Sequence, residues 1–124
     1  MYLQENAITK LATVADVDVN VTTKTTIFTV PTGKKAIITH LIFRDASISL
    51  TTASWGIGFD AGAIDVVADE TYTELTGNTL LTIRQAKDGA KLGAAADILG
   101  LKCSIAQGAA ATIDVDVFGY LIDA

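Results

Sequence analysis

The chain is poor in the residues that usually carry chemistry or covalent bracing. It has one cysteine, Cys103, so no disulfide can form within it. It has one histidine (His40), one tryptophan (Trp55) and one proline (Pro31). A single imidazole cannot supply the clustered His and Glu ligands of a jelly-roll metalloenzyme, so no cofactor is expected. Basic residues are few and scattered, and the formal net charge is −5. An acidic chain without a basic cluster gains nothing from phosphate contacts, which excludes nucleic acid and anionic membrane surfaces as partners. Every apolar run is interrupted by Thr, Asp or Gly, so no membrane span is expected. The opening Met1-Tyr2-Leu3-Gln4-Glu5-Asn6 has neither a basic nor an apolar region of the signal-peptide kind, and synthesis in a cytosol is expected.

What is abundant is Ala, Val, Ile, Leu, Thr and Gly. Half of the 124 residues are hydrophobic. β-branched residues fit pleated, half-buried surfaces, and straight-chain helix formers are sparse, which predicts a single all-β domain. The chain turns around the stretch Ile27–Phe43. Two β-branched runs flank Pro31-Thr32-Gly33-Lys34. Pro31 cannot donate to a strand ladder and Gly33 tolerates positive φ, so one strand should end at Val30 and the next begin near Ala36.

Asp16-Val17-Asp18-Val19-Asn20-Val21 alternates strictly, as a strand with one dry face does. Ala36–Arg44 is apolar on both faces, with Ile37, Thr39, Leu41 and Phe43 on one side and Ile38, His40, Ile42 and Arg44 on the other. Such a strand is either covered twice or meets another subunit. Ser54–Phe59 alternates around Gly56 and Gly58, which leave room for another backbone. Further strands are read at 8–14, 48–51, 64–67, 72–75, 79–84, 98–105 and 112–122. Residues 85–97, with Gly89 and Gly93, read as a long surface loop. Eight or so short strands without a helix predict an antiparallel β-sandwich of jelly-roll type. Residues 1–12 are expected to form an N-terminal arm or first edge segment, and residues 13–124 the sandwich.

No catalytic constellation emerges. Gly56-Ile57-Gly58-Phe59-Asp60-Ala61 has dinucleotide-fingerprint spacing but no following helix. Asp16-Val17-Asp18 opens like a calcium loop, yet Val21 and Ile27 stand where Gly and Glu are needed. If the first and last strands are neighbours, Asp16, Asp18, Asp114 and Asp116 crowd one surface, which would suit a cation or a basic partner. Cys103 sits on an apolar strand face and reads as a small buried hydrophobe. A Cys103–His40 dyad would have no third group to orient it.

Two stretches resemble small jelly-roll structural proteins of tailed bacteriophages. Phe28-Thr29-Val30-Pro31-Thr32-Gly33-Lys34-Lys35-Ala36-Ile37-Ile38-Thr39 is similar to their T-V-P-A-G-K-x-A-x-I-T corner, with Thr32 in place of the usual Ala. Asp114-Val115-Asp116-Val117-Phe118-Gly119-Tyr120-Leu121-Ile122 is similar to their closing V-x-V-x-G-Y strand. The resemblance implies a non-enzymatic virion protein, first of all a capsid decoration (cement) protein on the outer surface of the head, and otherwise a tail, neck or fibre component that recognises a host receptor such as a glycan. Its partners would be the major capsid protein and further copies of itself, with a trimer expected. The surplus of apolar strand surface points the same way. Tyr2, Leu3, Ile38, His40, Ile42, Lys87, Lys91, Leu92, Phe118 and Tyr120 are the interface candidates. Residues 1–12 and 85–97 are the segments expected to touch partners.

Overall fold

A computed structural model describes residues 8–77, 81–87 and 91–124, with only the backbone of Lys91. Its strands are β1 (Thr9–Asp18), β2 (Thr25–Thr29), β3 (Lys34–Arg44), β4 (Ser54–Gly58), β5 (Val67–Thr71), β6 (Leu81–Gln85), β7 (Lys91–Gly93), β8 (Ile98–Ile105) and β9 (Thr112–Asp123). They form two antiparallel sheets. Sheet I has the order β1-β9-β3-β6, with β7 on the same edge of β3 as β6 follows along; sheet II has the order β2-β8-β4-β5. The chain crosses between sheets at nearly every connection, the β4–β5 and β6–β7 connections excepted. The first strand lies beside the last, as in a jelly roll. No helix among the described residues is long and apolar enough to cross a membrane.

The Pro-Gly corner carries the chain from sheet II to sheet I. β2 stops at Thr29, Lys34 N–H donates to the Pro31 carbonyl at 3.1 Å, and Gly33 takes φ +79°, which favours a residue without Cβ. The core lies between the sheets. Trp55 stacks on Tyr72 at 4.4 Å, and Phe43 meets both edge-on. Ile38, Leu41, Ile57, Leu99, Leu101, Ile113, Val115 and Val117 fill the space around them.

Several expected elements differ. Residues 85–97 are not one loop, because β6 runs to Gln85 and Leu92 pairs with Ile37 further along the same edge of β3. Three residues are too few to display alternation, so the sequence hides this strand. Residues 48–51 and 72–75 are not strands. Their apolar residues Leu50, Tyr72 and Leu75 are buried as plugs in connecting segments, tied by the bond from Leu50 N–H to the Leu75 carbonyl. Of the expected strand at 64–67, only Val67 is in one. Residues 9–12 belong to β1 and pair with β9.

A bulge at Thr39 also redistributes β3. Ile38 faces Gly119 and His40 faces Phe118, with Thr39 between them unpaired. Strict alternation therefore fails across Thr39. Ala36, Ile38, Leu41 and Phe43 point into the core, whereas Ile37, His40, Ile42 and Arg44 point outward. The bulge explains the glycine of the closing motif. A Cβ at Gly119 would lie 1.9 Å from the Ile37 carbonyl oxygen, so no side chain fits there. Thr39 Oγ1 fastens the same spot by donating to the Phe118 carbonyl at 3.2 Å.

Candidate interaction surface

The outer face of sheet I follows from the strand registers. Residues opposite one another across antiparallel strands share a face. His40 stands opposite Phe118, Ile37 opposite Tyr120 and Leu92, and Ile42 opposite Ile83; Leu81 stands opposite Arg44. His40 and Phe118 stack with ring centroids 4.7 Å apart and planes 4° apart. Leu81, Ile83 and Leu92 are each more than half exposed, and Ile122 is 40% exposed. These side chains form one apolar field from the β7 end to the β6 end of the sheet, on the order of several hundred Å², the size at which exposed patches mark association sites.

The field has a charged rim. Lys10 stands opposite Phe118 and Lys35 opposite Ile122; Asp18, Asp114 and Asp116 lie toward the other end of β1 and β9. Arg44 holds that acidic end together. It grips Asp116 with two bonds of 2.8 and 3.2 Å, donates to Asp114 at 3.3 Å and contacts Asp45. Thr13 donates to Asp116 at 2.8 Å, and the Asp16 N–H donates to Asp114 at 2.9 Å. The Arg44 hydrogen bonds hold the Asp116 carboxyl below the usual carboxylate range. β1 and β9 are indeed neighbours, but the expected four-acid surface is altered by Arg44, which no alternation argument had placed there. Asp18 instead accepts from the Asn20 N–H at 2.7 Å. No group of three His, Cys, Asp or Glu among the described residues is arranged to hold a metal ion. Beside this network lies a polar cleft of about 540 Å³ bounded by Asp16, Asp45, Ser47, Thr76 and Thr112.

The sequence candidates divide accordingly. His40, Ile42, Leu92, Phe118 and Tyr120 share the outer face of sheet I. Ile38 does not: it is fully buried in the core, because the Thr39 bulge turns it inward. Lys87 is exposed beside the end of β6. Tyr2, Leu3 and the side chain of Lys91 lie outside the described residues. Sequence reading missed Ile37, Leu81, Ile83 and Ile122. Ile83 could have been found by extending the β6 alternation across β3. Cys103 and His40 are on opposite sides of one sheet's thickness: Cys103 is buried on β8 of sheet II, and His40 points away from the core on sheet I. Burial pushes the Cys103 thiol up to about 11, so it stays a protonated hydrophobe.

Sheet II treats its outer face differently. Gly56 and Gly58 point outward between inward Trp55 and Ile57, and the segment 59–66 folds back over them. A Cβ on Gly56 would sit 2.5 Å from the Ala63 carbonyl oxygen, and one on Gly58 2.4 Å from Asp65. The expected close approach is thus made by the chain's own backbone. Val66 N–H donates to the Ile57 carbonyl at 2.9 Å, and Asp65 accepts from the Phe59 N–H at 2.8 Å. Lys24 lays its stem over Gly100 and donates to the Asp60, Ile98 and Phe59 carbonyls at 3.0, 3.3 and 3.4 Å. The sandwich edge is closed by Arg84 of β6, which pairs with Glu70 at 3.1 Å and Glu74 at 2.9 Å over the Tyr72 ring.

No family model matches the chain, and no curated protein matches it. Among solved structures, a chain of "Cyanophage Pam1 capsid asymmetric unit" is similar at a TM-score of 0.45 and 15% identity, over 92% of this chain and 83% of that one.

Proposed function

We propose that this chain is a non-enzymatic structural protein of a phage virion, a capsid decoration protein on the outer surface of the head that bridges neighbouring capsid subunits. The observation that carries this reading is the apolar outer face of sheet I, left uncovered by the described chain while the polar groups around it are engaged with one another. Such a surface works by burial. At about 25 cal/mol per Å², covering several hundred Å² of it stabilises a contact by several kcal/mol before ordering costs. The corner at 28–39 and the closing strand at 114–122, which resemble phage structural proteins, add support. They meet in space at the Thr39 bulge and Gly119. Copies of the chain would associate with one another, and residues 1–12 and 85–97 would reach the shell.

The test is immunogold electron microscopy on phage particles that encode the chain. Label spread over the heads is expected. Label confined to the tail or neck would replace decoration by a role in attachment, and unlabelled particles would overturn the virion reading.

A further inference from the structure

We propose that the outer face of sheet I is a two-fold interface with a second copy of this chain, the two faces packed with their strand ends reversed. This deepens the self-assembly part of the function proposed above and rests on it. It replaces the expected trimer with a closed dimer, since a face that meets its own copy is isologous.

Three observations select a second copy as the occupant. The first is the area. The face is four strands wide at about 4.8 Å each and as long as the 11-residue β3 at about 3.3 Å per residue, a footprint of roughly 700 Å². A standard stable interface takes about 800 Å² from each partner. The second is the charge balance. The chain is acidic overall at −5, yet this face carries Lys10, Lys35 and Arg44 against Asp18, Asp114 and Asp116. A face without net charge meets its own copy without the repulsion that the rest of the molecule would impose.

The third is the direction of that charge. Lys35 lies at the β7 end beyond Ile37, and Lys10 lies level with the His40–Phe118 stack. Asp116, Asp114 and Asp18 follow in order toward the opposite end, with Arg44 offsetting one of them. A two-fold axis lying in the interface and running across the strands sets the lysine end of each copy over the acidic end of the other. The apolar field around Ile42, Ile83, Leu92 and the stacked rings then meets its own image at the centre. An axis along the strands would instead place lysine over lysine.

Sedimentation equilibrium of the full chain at micromolar concentration tests this. The expected result is a dimer that Ile83→Glu weakens about 100-fold, with Leu92→Glu doing the same. Ile105→Glu, on an exposed residue of sheet II, should leave it unchanged. Circular dichroism shows whether each variant is folded, and the two face variants check one another. Asp18→Lys lowers the net charge, so general repulsion alone would tighten association. The reversed packing predicts about fivefold weakening instead. A monomeric native chain overturns both self-assembly and this interface. An oligomer indifferent to both face variants overturns the interface and leaves self-assembly standing. Tightening by Asp18→Lys overturns the reversed packing.

Discussion

The outer faces of the two sheets solve one problem in two ways. β3 and β4 are both too apolar for a strand with one wet side. β4 is covered from within: Gly56 and Gly58 give up their side chains, the segment 59–66 lies over them, and Lys24 pins that segment through three carbonyls. β3 has no such cover among the described residues. It presents Ile37, His40 and Ile42 beside exposed Leu92 and Ile83. Small residues on an apolar strand thus mark self-coverage, and large ones mark a surface kept for a partner.

The comparison can be broken first at Gly56. Gly56→Val should cost about 3 kcal/mol in urea unfolding, because its side chain must displace backbone oxygens of Ala63 and Val67. Gly62→Ala, whose Cβ meets nothing nearer than 3.5 Å, should stay within about 0.5 kcal/mol. Equal losses would mean that close packing over β4 is not what holds sheet II.

On the other sheet, Asp116→Asn should cost about 2 kcal/mol at pH 7, since Arg44 loses a largely buried bidentate partner. The pH dependence has a definite sign. Asp116 is depressed in the folded chain, so its contribution is full above the unfolded carboxylate range near pH 4 and is lost as pH falls through the folded value. The gap between native and Asp116→Asn chains should therefore close in acid. A gap that persists to pH 2 would show that the loss is not electrostatic.

Removing the pin is a smaller change. Lys24→Met keeps the stem over Gly100 and deletes its three donor contacts, for an expected loss of about 1 kcal/mol. Faster amide exchange in 59–66 than elsewhere should accompany it; uniform exchange would contradict the pinning. The smallest effect is expected on the bare face. At dilutions where the chain is single, Ile83→Glu should change stability by no more than about 0.5 kcal/mol, because that side chain covers little of the fold.

The sandwich was legible because its long strands obey period two. β8 and β9 lie almost where alternation puts them, and the Pro31–Gly33 corner is where its turn chemistry demands. Legibility failed wherever a bulge or a bond across the molecule intervened. The unpaired Thr39 exchanges the faces of Ile37 and Ile38, and no local pattern announces it. The bulge at Ser104 leaves Ile105 half exposed although Leu99, Leu101 and Cys103 before it are buried. Leu50, Tyr72 and Leu75 looked like strand residues because plugs and strands bury the same side chains. The outer-face residues His40, Ile42, Leu92, Phe118 and Tyr120 were identifiable as apolar surplus. Their union with Ile83 and Ile37 required the register of four strands. Arg44 was invisible as a partner of Asp114 and Asp116, which are 70 and 72 residues away along the chain.

The most direct measurement compares thiol labelling rates of Ile83→Cys and Ile105→Cys in the purified chain at micromolar concentration. Both positions are more than half exposed in the single chain, and native Cys103 is buried and protonated, so it adds no background. If sheet I is the docking face, the thiol at 83 should react about tenfold more slowly than the one at 105 and recover its rate on dilution. Equal rates at every concentration would contradict a covered sheet I and leave its apolar face without a partner.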